Sequence, residues 1–309
     1  MFYTIQSVHG SMNVTKRIQT LKADRDALIL AHNYCSPQVQ DVADFVGDSL
    51  ALAIRATDVK EKVIVLCGVT FMAESVKILN PEKRIIIPEP DAVCPMANMC
   101  SGAQLDEERK LHPQRKIVGY VNTSADAKAH MDVCCTSANA LKVVDSLRGE
   151  EVLFVPDKNL GDYVSLKLKR DITLWGGFCP THQAITVQSV RVLREKHPDA
   201  VIMAHPECRR EVLHLADFIG STSQMLEYAR TSDNDIFIVL TEIGLSHRLQ
   251  QDSPKKTFLF PDVALCPTMK MTDLSSVLRA LETMSSEIQI DPAVLRMARI
   301  PLERMVSIR

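Results

Sequence analysis

Ala43-Asp44-Phe45-Val46-Gly47-Asp48-Ser49, Met131-Asp132-Val133-Cys134-Cys135-Thr136-Ser137 and Ala216-Asp217-Phe218-Ile219-Gly220-Ser221-Thr222 are three versions of one phrase. Each begins as a short apolar strand, reaches a polar residue able to cap a helix, and opens a helical stretch: 50–56, 138–147 and 223–230. A second strand lies upstream at a constant interval. Ala27-Leu28-Ile29-Leu30-Ala31 runs into His32, Lys116-Ile117-Val118-Gly119 into Tyr120, and Val201-Ile202-Met203-Ala204 into His205. Each of these polar ends stands 17 residues before Ser49, Ser137 or Thr222. Downstream come a third strand (63–66, 152–155, 236–240), a helical stretch and a fourth strand (84–87, 172–175, 257–260). Each unit then reaches Cys-Pro, at Cys94-Pro95, Cys179-Pro180 and Cys266-Pro267, and a helix follows. The repeat length, 88 and then 85 residues, is that of a small domain rather than of a solenoid unit.

Apolar strands alternating with helices predict α/β units with parallel sheets in three layers, αβα. Three such domains with equivalent sites predict a pseudo-threefold arrangement around a central active site. The expected divisions are 1–112, 113–198 and 199–309, each uncertain by about ten residues. Flanking helices are expected over 11–23 and 291–309, the latter packing back on the first domain. Functional residues of parallel sheets gather at the carboxyl ends of strands, so His32, Tyr120 and His205 are expected to face one cavity. Ser49, Ser137 and Thr222 are expected at helix N-termini there, where free N–H groups favour anions.

The bulk properties exclude several classes. Hydrophobic residues make up 46% and charged residues 24% of 309, and the formal net charge is −2. That balance gives no electrostatic case for nucleic acid. No run reaches the roughly 18 apolar residues of a membrane helix. The opening Met1-Phe2-Tyr3-Thr4-Ile5-Gln6 lacks the basic and apolar regions of a signal peptide, which predicts a cytoplasmic protein. Nine cysteines in a reducing compartment point to metal binding or catalysis before disulfides.

Nine cysteines and fifteen prolines in this length would give fewer than one Cys-Pro pair by chance, yet three stand at matching places in the repeat. Three thiolates meeting on an axis suit an iron–sulfur cluster or zinc. Their spacings of 85 and 87 residues contain no CxxC knuckle, which disfavours a zinc ribbon. A cluster with three protein ligands leaves one iron open. The alternative is three buried core thiols. Cys35, Cys67, Cys100, Cys134, Cys135 and Cys208 have no three-way counterpart and are expected in the core or cavity wall.

The chain resembles the bacterial and archaeal quinolinate synthase family, the A protein of de novo NAD biosynthesis. The matching segments run in order from about residue 25 to 275. They include Ala31-His32-Asn33-Tyr34, Gly47-Asp48-Ser49-Leu50, Gly68-Val69-Thr70-Phe71-Met72-Ala73-Glu74, Cys94-Pro95-Met96-Ala97-Asn98-Met99 and Tyr120-Val121-Asn122-Thr123-Ser124. Further on stand Thr136-Ser137-Ala138-Asn139, Pro156-Asp157-Lys158-Asn159-Leu160, His205-Pro206-Glu207-Cys208, Gly220-Ser221-Thr222 and Cys266-Pro267-Thr268-Met269-Lys270. The resemblance implies three α/β domains around one [4Fe-4S] cluster per chain, held by Cys94, Cys179 and Cys266. It implies condensation of iminosuccinate with dihydroxyacetone phosphate to quinolinate, releasing phosphate and water. Substrate contacts would be His32, Ser49, Tyr120, Val121, Asn122, Ser137, His205, Pro206, Glu207 and Thr222.

The same resemblance points to Glu207 as a general base, helped by His205, with Tyr120 as hydrogen-bond donor or proton relay. It also implies L-aspartate oxidase or aspartate dehydrogenase as the source of iminosuccinate. Cys35 departs from the polar residue more common in the family. The third cysteine lacks the CxxCxxC setting of some members, so redox control through an extra pair is not expected. Lys158 is ambiguous between a substrate-near cation and a solvated strand-end charge. Two other functions are compatible with the cysteines: an aconitase-like hydro-lyase and a non-catalytic iron–sulfur sensor.

Overall fold

The computed structural model describes residues 4–308, with side chains from residue 13 onward. Met1, Phe2 and Tyr3 of the opening stretch lie outside the described residues. Twelve strands form three four-stranded sheets. The first holds β1 (Ala27–His32), β2 (Phe45–Gly47), β3 (Val63–Cys67) and β4 (Arg84–Ile86). The second holds β5 (Lys116–Tyr120), β6 (Val133–Cys135), β7 (Val152–Val155) and β8 (Thr173–Leu174). The third holds β9 (Val201–Ala204), β10 (Phe218–Ile219), β11 (Ile236–Leu240) and β12 (Thr257–Leu259). All pairings are parallel, and the order is the same each time: second, first, third and fourth strand of the unit. The repeat legible in the sequence is therefore a repeat of topology.

One contact shows how closely the units correspond. Asp44, Asp132 and Asp217 each accept the backbone N–H of a strand residue 15 positions earlier, Ile29, Ile117 and Ile202, at 2.8 Å in all three. A basic residue from the helix entering the unit then meets each carboxylate. Lys22 lies 2.6 Å from Asp44, Arg109 3.0 Å from Asp132 and Arg194 4.0 Å from Asp217. The helix preceding the first strand is thus tied to the loop preceding the second. Burial of all six residues of β1 and all five of β3 reflects helices covering both faces of the sheet, as parallel pairing requires.

The structure sharpens the helix assignments. Ser49–Thr57 begins at Ser49, capped by Asp48, and Thr222–Thr231 begins at Thr222, with a capping box between Ser221 and Gln224. In the second unit a turn over residues 136–139 intervenes, and the helix is only Ala140–Asp145. Ser137 therefore sits in a turn rather than at the head of an α-helix. Asn139 causes this, because its Oδ1 accepts the N–H of Thr136 at 2.8 Å and closes a local turn. The C-terminal helix Pro292–Ser307 rests against β6, the helix Ala125–Lys128 and the helix Thr70–Leu79, so it spans the junction of the first two units. No described helix is long and apolar enough to cross a membrane.

Candidate active site

The carboxyl ends of the three sheets converge on one cavity. His32 ends β1, Tyr120 ends β5 and His205 directly follows β9. All three line the cavity, with Ser49, Ser137, Thr222, Asn122, Glu207 and the three Cys-Pro cysteines. Val121 and Pro206 are not on that wall. Val121 lines a small adjoining space beside Ser49 and Phe71, and Pro206 is buried. Lys158 is also absent from the wall, its ammonium lying 5.1 Å from the centre of the Phe178 ring.

The three Cys-Pro cysteines differ from the other six. Cys94, Cys179 and Cys266 are partly exposed, whereas Cys35, Cys67, Cys100, Cys134, Cys135 and Cys208 are buried in the core. Proline at the first position of the turn after each ligand-type cysteine fixes its φ without losing a needed donor. Burial pushes the Cys94 thiol up to about 12 and the Cys179 thiol well above its ordinary value. Such thiols become thiolates only beside a strong positive centre, which a bound metal supplies.

Glu207 is the hub of the polar network. Its Oε2 lies 3.0 Å from His205 Nδ1 and 3.2 Å from His182 Nδ1. Both nitrogens are within hydrogen-bond reach of the carboxylate, and the backbone N–H of Glu207 also reaches His205 Nδ1 at 3.4 Å. His205 Nε2 lies 3.1 Å from the Ser137 hydroxyl, and His182 Nε2 lies 2.9 Å from the Thr241 hydroxyl. The Thr241 and Tyr34 hydroxyls share a further hydrogen bond, with 2.5 Å between the two oxygens. Six side chains from all three units thereby form one hydrogen-bonded chain. The two imidazoles stack with centroids 4.7 Å apart. Oε1 of Glu207 is buried with no hydrogen-bond partner among the described residues, an orphaned acceptor adjoining the cavity. Asn122 Oδ1 is a second.

The charge states follow from burial and these neighbours. Burial alone would raise the Glu207 carboxyl, but His182 and His205 outweigh it and hold the pKa below its usual range. Burial lowers His32 to about 3, with His205 adding to the effect. Burial likewise lowers His182 to about 4. Tyr34 and Tyr120 are pushed well up by burial and then by Glu207, so both phenols keep their protons. Around Glu207 the cavity thus sets two imidazoles that burial keeps neutral, those of His32 and His182, and two protonated phenols.

The sequence reading missed Tyr34, His182, Thr241, Asp157 and Glu242. Tyr34 was recoverable, because Tyr34, Asn122 and Glu207 each stand two residues beyond the polar strand end of their unit. Among the described residues, one trio of His, Cys, Asp or Glu brings its donor atoms within 4.8 Å, as a single ion requires: Cys179, His182 and Glu207. A group able to hold a metal ion therefore stands in the cavity wall.

Three parallel αβα units that place thiols, imidazoles and carboxylates at one junction define an α/β protein with a central cavity whose wall could hold a metal. A family model described as quinolinate synthetase A protein matches residues 16–307. Quinolinate synthase 1 of Methanosarcina acetivorans is 47% identical over 298 residues, covering 96% of this chain and 98% of that protein. Quinolinate synthase of Aquifex aeolicus is 42% identical, covering 95% of this chain and 93% of its own length. The chain belongs to the quinolinate synthetase A protein family.

Proposed function

We propose that the protein is a quinolinate synthase and that Cys94, Cys179 and Cys266 hold one [4Fe-4S] cluster. The reaction joins iminosuccinate to dihydroxyacetone phosphate, and quinolinate, phosphate and two waters account for every atom without an oxidant. The observation that carries the reading is the junction itself. Three partly exposed thiols, one per unit, line the same cavity as a buried carboxylate hydrogen-bonded by two histidines.

The donor set fits a cluster better than one ion. The sulfurs do not form a trio within 4.8 Å, whereas ligands of a tetrahedral zinc at about 2.3 Å would sit closer than that. A single ion at Cys179, His182 and Glu207 would leave Cys94 and Cys266 without a task. When bound, the cluster would supply a Lewis-acidic iron with an open coordination position.

The remaining work belongs to side chains. The substrates carry two carboxylates and a phosphate. The helix starts at Ser49 and Thr222 offer N–H and O–H donors to such anions. His32 Nδ1 accepts from the N–H of Tyr34 at 3.1 Å, which leaves Nε2–H as a neutral donor. Glu207, through its unpartnered Oε1, takes the proton from carbon that the isomerisation and dehydrations require. His205 and His182 hold its other oxygen in place. Tyr120 donates to the carbonyl oxygen on which negative charge develops. Burial of His32, Tyr120, His205 and Glu207 excludes bulk water from these steps.

The divisions at about residues 112 and 198 separate units that each give one thiol. A sensor would leave His32, Tyr120 and His205 at matched strand ends without a use. An upstream L-aspartate oxidase or aspartate dehydrogenase and a cytoplasmic location complete the reading, since a reducing compartment preserves such thiols. The test is direct. Anaerobically reconstituted protein given both substrates forms quinolinate and phosphate in equal amounts; formation of neither rejects the assignment.

A further inference from the structure

The turns that carry the Cys-Pro cysteines correspond across the units. In each, the carbonyl two residues before the cysteine accepts the N–H of a residue following the third strand: Ala92 from Thr70 at 2.9 Å, Gly177 from Lys158 at 2.8 Å and Ala264 from Ile243 at 2.8 Å. This pairing makes Val69, Asp157 and Glu242, the residues just before those donors, structural equivalents. Two of the three are buried carboxylates, and each holds the backbone N–H of its own cysteine. Asp157 accepts from Cys179 N at 3.0 Å and Glu242 from Cys266 N at 3.2 Å. Each also holds a second N–H on its own side, Leu160 at 2.8 Å and Gly244 at 2.6 Å. Asp157 is fully buried and Glu242 is 1% exposed. In the first unit Val69 offers no acceptor to Cys94.

We infer that Asp157 and Glu242 are positioning residues for the cluster, each locking the backbone of one ligand cysteine, while the Cys94 corner is held without such a lock. The inference rests on the cluster reading above. Two consequences follow from the hydrogen bonds. The cysteine backbone is fixed before metal arrives, so less ordering is lost on binding. The N–H of Cys179 and of Cys266 is also committed to a carboxylate rather than to a cluster sulfur, and hydrogen bonds to sulfur are a determinant of cluster electronics. A carboxamide cannot replace either acid, because one of its two atoms is a donor and would face an N–H.

The experiment uses the anaerobically reconstituted protein and three variants, Asp157→Asn, Glu242→Gln and the control Asp44→Asn. Asp44 accepts the N–H of Ile29 in the same way but away from the cavity. Three quantities are read: the rate of iron release to a ferrous chelator, the electron paramagnetic resonance spectrum of the reduced cluster, and the Tm of the apoprotein. Iron release should be about tenfold faster in Asp157→Asn and Glu242→Gln, with altered spectra. Asp44→Asn should change only Tm. If Asp157→Asn and Glu242→Gln also change only Tm, the two acids merely stabilise the fold and the inference is overturned. If the wild type itself takes up no iron and sulfide, the cluster reading fails before the variants are compared.

Discussion

Nδ1 of His182 lies 3.2 Å from Oε2 of Glu207, although the histidine follows the cysteine turn of the second unit and the glutamate follows the first strand of the third. The same nitrogen is 3.1 Å from the sulfur of Cys179. A ligand-type thiol and the proposed base are therefore joined through one imidazole. The site exists only where units meet.

Glu207→Gln should lower kcat by about a hundredfold or more while the cluster's visible absorbance stays intact. Steady-state quinolinate formation and an absorption spectrum of the same sample check this. Near-normal turnover would reject Glu207 as the base.

His32 supplies a pH prediction. Burial holds its folded pKa at about 3, below the ordinary histidine value of 6.5. Above 6.5 it is neutral whether the chain is folded or not. Between 6.5 and about 3 only the unfolded chain takes up the proton, so stability falls as pH falls through that window. The groups acting on it are His205, Glu207 and Lys270. Denaturant unfolding of the apoprotein at pH 7 and pH 4 should show a smaller acid-induced loss for His32→Gln than for wild type. Equal losses would contradict a neutral, buried His32.

Gly244 is a close-approach position. A Cβ there would lie 2.5 Å from the carbonyl oxygen of Tyr34 and 2.7 Å from both Glu242 Oε2 and Lys270 Nζ. Those atoms form one junction: Lys270 bonds Glu242 at 2.9 Å and the Tyr34 carbonyl at 2.5 Å. Gly244→Ala should cost about 1–3 kcal/mol by overpacking and lower Tm. Unchanged thermal unfolding would show that the junction yields without cost.

The fold was largely legible because a parallel sheet writes itself as apolar runs, and a threefold repeat supplies three readings of each run. The fourth strands, expected at four residues each, are shorter in every unit, Arg84–Ile86, Thr173–Leu174 and Thr257–Leu259; each is an edge strand that pairs on one side only. Ser137 was misplaced because a side chain, Asn139, competed with the helix for the backbone. The strand-end histidines and tyrosine were legible through their spacing. Asp157, Glu242 and Thr241 were not, because their tasks depend on register between distant segments. Tyr34 meets Thr241 across 207 residues of chain, and one sequence carries no trace of that pairing. His182 was obscured for a related reason: its equivalents after the other two cysteines are Ala97 and Met269, so the repeat gave it no support.

The central claim is that three thiols from three units hold one cluster, and anaerobic iron and acid-labile sulfide analysis of wild type against Cys94→Ser tests it most directly. The wild type should contain about four irons and four sulfides per chain, and Cys94→Ser should retain well under half of each. Zinc without sulfide in the wild type, or an undiminished iron and sulfide content in Cys94→Ser, would contradict the account.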